Sequence, residues 1–191
     1  MIDRGTHPTI IGSQTVHLPL VALTESITVA LMITVDLGVR FMDVACRDLA
    51  DEVRALAPDV IVSVATMGIP IGLGVSRELH LDGYVILQKQ PKYHLRDSMR
   101  EPVESITTQG EQQLILDERR EPLLRGRRVV LVDDVISTGA STMAALRLLD
   151  RAGAEVVGIG AFLTESDEWR ETLGDRASLV RALGHIPLFE S

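Results

Sequence analysis

The feature that most constrains this chain is the run Val129-Val130-Leu131-Val132, which is followed at once by Asp133-Asp134 and then by Ser137-Thr138-Gly139-Ala140-Ser141. Four uninterrupted apolar residues fit a strand buried on both faces, as in a parallel sheet, better than a half-exposed strand of alternating pattern. Two carboxylates where that strand emerges, and small or hydroxylated residues leading into a helix, form a turn through which the backbone can approach a ligand closely. Small side chains let N–H groups converge on an anion, Ser and Thr hydroxyls add donors, and the following helix N-terminus adds positive dipole. Asp133 and Asp134 are acceptors suited to the vicinal hydroxyls of a sugar, while Ser137, Thr138, Gly139, Ala140 and Ser141 suit its phosphate.

The rest of the chain supplies the sheet. Asp43 to Ala57 places Val44, Leu49, Val53 and Leu56 on one helical face, with Pro58 as a stop. Val60 to Val64 is a β-branched run read as a strand, and Gly68-Ile69-Pro70 opens a helix through Leu79, proline being tolerated in a first turn. Tyr84 to Leu87 is a further strand. Ser105 to Gln109 and Gln112 to Leu116 flank Gly110-Glu111 as a hairpin. A helix from Ser141 to Arg151 ends at Gly153, and a strand follows over Val156 to Leu163. The first dozen residues and Gln88 to Pro102 read as irregular, and the tail as helix-rich. Strands separated by helices predict one α/β domain with a parallel sheet and a ligand at the carboxyl ends of the strands.

Other chemistries are excluded by what is missing. Gly139 is followed by Ala140 where a nucleoside-triphosphate loop requires Lys, and Arg77 stands where a dinucleotide fingerprint after Gly72-Leu73-Gly74 requires Gly. The lone Cys46 permits neither an intrachain disulfide nor a Cys-based zinc site, and the five histidines are scattered. With 27 acidic against 19 basic residues and a net charge of −8, the chain is no general nucleic-acid coat. The most apolar early stretch, Ile27 to Val35, is about a third of a membrane span, and the N-terminus lacks the order of a secretory signal. These readings predict a cytoplasmic protein with no membrane partner.

The segment VVLVDDVISTGAS resembles the signature of the type I phosphoribosyltransferases, with Ala140 in place of the usual second glycine. The resemblance runs from the helix at Asp43 to the strand at Val156. It implies their fold: a mostly parallel central sheet flanked by helices, a flexible loop or hairpin, and a small hood from the termini (about 1–42 and 164–191, around a core of about 43–163). It also implies transfer of a phosphoribosyl group from phosphoribosyl pyrophosphate to a nucleobase. Magnesium would be bridged by substrate oxygens with no direct protein ligand, and the protein would be a homodimer. Asp133 and Asp134 would then hold the ribose hydroxyls, and Ser137 to Thr142 the 5-phosphate. Ala65-Thr66-Met67-Gly68 resembles the pyrophosphate loop, with Met67 where adenine enzymes often carry Arg.

Only two of the basic residues are lysines, Lys89 and Lys92, and both lie in one short span. That span resembles the family's mobile catalytic loop, in which a lysine reaches pyrophosphate. Tyr93, Arg96 and Arg100 extend it. Phe162, Glu165 and His185 are candidates for the base. The Asp-Asp pair and Ser137 resemble the adenine and xanthine branches, whereas Thr108 stands where adenine members carry Glu. The whole chain most resembles adenine phosphoribosyltransferase-related members. A purine substrate is therefore expected, adenine ahead of xanthine. The competing expectation is a regulator that binds phosphoribosyl pyrophosphate without turnover, although the core's start near Asp43 leaves no room for a winged helix. A pyrophosphokinase would require ATP-binding elements that the sequence does not show.

Overall fold

The structure, a computed structural model, describes residues 5–24, 26–91, 98–103 and 112–190. Strands β1 (Thr6–Ile11), β2 (Gln14–Ala22) and β3 (Ile27–Ala30) come first, followed by helix α1 (Gly38–Arg54). Then come β4 (Val60–Val64), α2 (Gly68–Glu78), β5 (Tyr84–Leu87), β6 (Ser98–Pro102) and β7 (Gln113–Asp117). The second half carries β8 (Arg128–Ile136), α3 (Ala140–Arg151), β9 (Glu155–Glu165), α4 (Glu168–Leu173), β10 (Val180–Ile186) and β11 (Phe189–Glu190). Five strands form a sheet in the order β10-β9-β8-β4-β5, and all of its pairings are parallel.

The sheet is buried on both faces, which explains its uninterrupted apolar runs. Phe41, Leu49 and Val53 of α1 and Ile71 and Val75 of α2 pack with Ile61, Val130, Val132 and Phe162. On the other face Ala145, Leu146, Leu149, Trp169 and Leu173 pack with Val62, Val64, Leu131 and Ala161. Neighbouring residues of one strand thus belong to opposite cores, as the period-two geometry of a strand demands. The close approach of α1 and α2 depends on Gly74, where a Cβ would collide with Cys46 Sγ. Burial and the nearby Asp43 push the Cys46 thiol up to about 12, so this cysteine serves packing and is not a nucleophile.

Several expectations need correction. The first dozen residues, read as irregular, include a strand: Thr6–Ile11 pairs antiparallel with Gln14–Ala22, burying Thr9 and Ile11, while residues 1–4 lie outside the described residues. Helix α1 starts at Gly38, ahead of Asp43, because Phe41 extends the apolar face by a turn. Gln88 to Pro102 contains strand β6, which pairs with β7 through Ser98↔Asp117 to Pro102↔Gln113. The strand expected over Gln112 to Leu116 is therefore present as β7, with β6 as its partner. Its expected partner Ser105 to Gln109, with Gly110-Glu111 and Thr108, lies outside the described residues.

The tail is helical over α4 and a 3-10 helix that follows it directly, Gly174–Leu179, and then turns to strand. Val180–Ile186 is the edge strand of the five-stranded sheet, while β11 joins β1, β2 and β3 in a second, four-stranded sheet. That second sheet sits close against β10: Gly12 N–H donates to Leu183 O at 3.0 Å, and a Cβ on Gly184 would collide with Ile10 O. Among the described residues, no helix is long and apolar enough to cross a membrane.

Candidate functional site

The strand order has one topological switch point. From β4 the chain moves outward to β5, then returns to β8 and moves the other way to β9 and β10. Crevices in open parallel sheets form at the carboxyl ends of the strands where the order reverses, here between β4 and β8. The segment Ala65-Thr66-Met67-Gly68 follows β4, and Asp133 and Asp134 lie near the end of β8. The two motifs are thus neighbours across the switch point.

Geometry ties them closely. The position of a Cβ on Gly68 lies 3.3 Å from Asp133 Oδ1 and would collide with Ser63 Oγ, so only glycine lets the first turn of α2 sit against that carboxylate. Buried Ser63 holds the turn in place, its hydroxyl lying 2.8 Å from both Gly68 O and Val132 O. The Ala65–Thr66 peptide is cis. Ala65 N–H donates to Leu87 O at 2.9 Å, and Thr34 Oγ1 donates to Met67 Sδ at 3.5 Å. Thr66 is the exposed member of the loop.

The two aspartates extend the strand instead of following it, since β8 continues through them to Ile136. Asp134 N–H donates to Asp133 Oδ1 at 3.0 Å. Burial first, and then the charge of Asp134, hold the Asp133 carboxyl well above the usual carboxylate range, with the Lys89 charge opposing both. A carboxyl raised in the folded state binds more protons there than in the unfolded chain. Stability therefore falls as pH rises from the ordinary value of 3.8 through the raised one. Asp133→Asn is expected to melt higher than wild type at pH 7, with the gap closing towards pH 3.8 in thermal melts across pH.

The loop after β8 ends in Gly139, whose φ of +80° places it at the N-cap of α3 with no side-chain cap. Gly139 itself thus offers no side chain to the backbone N–H groups of that first turn. Ala140 N–H lies 3.4 Å from Thr138 Oγ1, and Ser141 is half-buried. Thr142 is buried, so its side chain packs inward and offers little surface to a ligand. Sequence reasoning missed what lies behind Gly139. A Cβ there would come within 3.2 Å of Trp169 Cα and Thr172 Cβ, so α4 forms the wall of the loop. The available signal was the chain's single tryptophan, Trp169, whose Nε1 donates to Ser166 O at 3.1 Å.

The remaining candidates divide. Lys89 is exposed beyond β5, near enough for its charge to act on Asp133, whereas Lys92 lies outside the described residues with Tyr93 and Arg96. Arg100 belongs to β6. Glu165 Oε2 accepts from Ser137 Oγ at 2.5 Å, joining the ends of β9 and β8. His185 Nδ1 lies 3.0 Å from Thr164 Oγ1 on the neighbouring strand. Phe162 is corrected: it is fully buried, edge-on to Phe41 with ring centroids 6.0 Å apart, and has no surface to offer a base. Among the described residues no group of three or more His, Cys, Asp or Glu could hold a metal ion.

A family model described as the phosphoribosyl transferase domain matches residues 42–180, most of the chain. The chain belongs to the phosphoribosyltransferase domain family. The hypoxanthine/guanine phosphoribosyltransferase of Methanococcus voltae is 35% identical over 109 residues, covering 57% of this chain and 54% of that protein. The chain thus spans about half the length of such curated relatives. The adenine phosphoribosyltransferase of Rhodococcus jostii is 35% identical over 138 residues, 66% of this chain and 74% of the relative. In three dimensions the adenine phosphoribosyltransferase of Thermoanaerobacter pseudethanolicus superimposes with a TM-score of 0.70 at 20% identity, over 88% of this chain and 95% of that one. The parallel sheet flanked by helices is therefore the fold of this family.

Proposed function

We propose that this phosphoribosyltransferase-family chain transfers the 5-phosphoribosyl group of phosphoribosyl pyrophosphate to a purine base, releasing pyrophosphate. The reading rests on one observation: the first turn of α2 at Gly68 meets the Asp133 carboxylate at the switch point, beside a Gly139-centred loop that opens a helix. Asp133 and Asp134 accept from the ribose hydroxyls, the loop from Ser137 to Thr142 receives the 5-phosphate through its backbone, and Ala65 to Gly68 receive the pyrophosphate. The ring oxygen of the sugar stabilises positive charge at C1 as pyrophosphate departs. The protein's contribution is then mainly to position reactants and to stabilise the leaving charge.

Magnesium fits this donor set as an ion held by substrate oxygens and water, since two adjacent carboxylates carry more negative charge than Lys89 offsets. When bound, it would neutralise charge on the departing pyrophosphate. Lys89 supplies a mobile cation on the same side. Lys89→Ala is expected to lower kcat about ten-fold, roughly 1.4 kcal/mol of transition-state stabilisation, with product-nucleotide affinity nearly unchanged. Single-turnover kinetics beside nucleotide titration would check this, and a normal rate would remove Lys89 from the mechanism.

Adenine is the favoured base and xanthine the next, from the Asp-Asp pair and Ser137, and similarity to the adenine enzyme of Rhodococcus jostii supports that order. A role in purine salvage follows from this chemistry. A homodimer also fits: Val35 is 62% exposed, Val39 76% and Leu73 43%, a cluster of apolar side chains bordering the groove between α1 and α2. Measuring pyrophosphate release with adenine, xanthine, guanine and hypoxanthine in parallel tests the proposal. Release that requires a purine supports it. Tight binding of phosphoribosyl pyrophosphate with no release for any base would instead establish a regulator that senses the sugar phosphate.

A further inference from the structure

We infer that Glu101, held between Arg147 and Arg151, is a positioning residue for Lys89: the clamp fixes where Lys89 stands relative to the loop that opens α3. The inference rests on the transferase reading above, in which Lys89 serves the departing pyrophosphate.

Glu101 stands where its strand calls for an apolar side chain. From Met99 to Val103 the half-buried residues Met99, Glu101 and Val103 alternate with exposed Arg100 and Pro102. Met99 and Val103 pack against the core, and Glu101 between them has only 13% of its side chain exposed. A carboxylate so enclosed must be paired to remain charged. Two arginines of α3 pair it: Arg147 Nη1 lies 3.5 Å from Oε1, and Arg151 Nη1 lies 3.1 Å from Oε2. A valine at this position would merely continue the apolar face. A carboxylate gripped at both oxygens adds direction, tying one point of the ribbon to one face of the helix.

The hydrogen bonds around Ile115 carry that tie to Lys89. Ile115 of β7 stands opposite Arg100 of β6, yet both its backbone groups go to Gln88. Its N–H donates to Gln88 O at 2.8 Å, and its carbonyl accepts from Gln88 N–H at 2.9 Å. Arg100 and Ile115 therefore form a pair without mutual hydrogen bonds, and the Arg100 backbone faces away from β7. Arg151 Nη1 meets it there, donating to Arg100 O at 2.8 Å. At this one level the ribbon is held from both edges, by α3 on one side and Gln88 on the other. Lys89 is the next residue along the chain.

The opposite end of α3 explains why the level matters. At a rise of about 1.5 Å per residue, Arg147 and Arg151 stand about 10 and 16 Å along the axis from Ala140, its first residue. Nearer the loop the packing is interrupted, because Pro102, Ala140, Met143, Arg147 and Thr172 line a cavity of about 200 Å³. The clamp, more than close packing, therefore sets the ribbon and Lys89 against the phosphate loop.

Glu101→Gln and Arg151→Ala, each alone and each combined with Lys89→Ala, test this in the full chain. Pyrophosphate release with the accepted purine gives kcat, calorimetric titration gives ribose 5-phosphate affinity, and thermal melts report folding. Each clamp variant should lower kcat about five-fold while sugar-phosphate affinity stays within about two-fold. Melting should stay within about 2 °C, since both arginines are half-exposed and such ion pairs stabilise little. In the Lys89→Ala background either substitution should change kcat less than about two-fold, because a residue that acts through Lys89 then has nothing to place. An unchanged kcat, a loss that persists without Lys89, or a loss expressed in sugar-phosphate affinity or melting would overturn the clamp and leave the transferase reading standing. A Lys89→Ala chain with the wild-type rate would overturn the clamp as well. Failure of the wild type to release pyrophosphate with any base would overturn both.

Discussion

Replacing Asp134 with alanine is expected to weaken phosphoribosyl pyrophosphate binding a hundred-fold or more while leaving the protein folded. Asp134 is half-buried at the carboxyl end of β8, and its backbone N–H already satisfies Asp133 Oδ1. Its carboxylate shares a side-chain hydrogen bond with the Asp133 carboxyl and has further lone pairs with which to accept from a ligand. Hydrogen bonds to a charged group are each worth about 1.5–3 kcal/mol, so losing two to vicinal hydroxyls amounts to roughly 3 kcal/mol or more. On the folding side the change removes a like charge from the neighbourhood of Asp133, whose carboxyl is already held high. The melting temperature should thus stay level or rise as affinity collapses. Calorimetric titration and a thermal melt on the same sample would show the two moving apart. Unchanged affinity would withdraw the ribose role from the acidic pair.

Gly139→Val is expected to fail in both respects at once. The φ of +80° is hard for any residue with a Cβ and hardest for a β-branched one. The new side chain would also enter the space of Trp169 and Thr172, where its first carbon already stands 3.2 Å from Trp169 Cα. Strain of this backbone kind costs about 1–3 kcal/mol and overpacking a comparable amount, giving a loss near 3 kcal/mol or more. For a chain of this size that lowers the melting temperature by roughly 6–12 °C. Phosphate affinity should fall with it, because the first turn of α3 can no longer close over the loop. Since the missing Cβ faces α4, the damage comes from the wall behind the loop and not from a side chain projecting into the anion site. Titration with ribose 5-phosphate would read the binding loss, and the melt the stability loss. A variant with wild-type melting would show that α4 yields freely.

The parts of this molecule legible in its sequence are those whose cause is local. Val129 to Val132 must be buried on both faces, and Pro58, Pro70 and Gly153 punctuate helices by their own backbone restrictions. The family resemblance rests on contiguous residues for the same reason. What escaped depends on distant partners. Ser98–Pro102 has no apolar period of its own; it becomes a strand because β7 pairs with it and because Glu101 bridges Arg147 at 3.5 Å and Arg151 at 3.1 Å. Thr6–Ile11 likewise needs the following hairpin strand to bury Ile11. Phe162 has the character of a base-stacking residue, but strand geometry turns it into the core shared with Phe41. Ser137 meets Glu165 across 28 residues of chain, and only the β8–β9 register brings them together.

The second sheet carries a consequence for synthesis. Its strands β1, β2 and β3 are made ahead of the rest of this fold, but the fourth, β11, comes from residues 189–190, and the edge strand β10 against which the hairpin rests is made just before it. The apolar side chains of Ile11 and Leu18, fully enclosed in the finished fold, therefore wait for partners that come much later along the chain. During that interval the nascent hairpin is a sticky, unclosed edge of the kind that holdase chaperones shield.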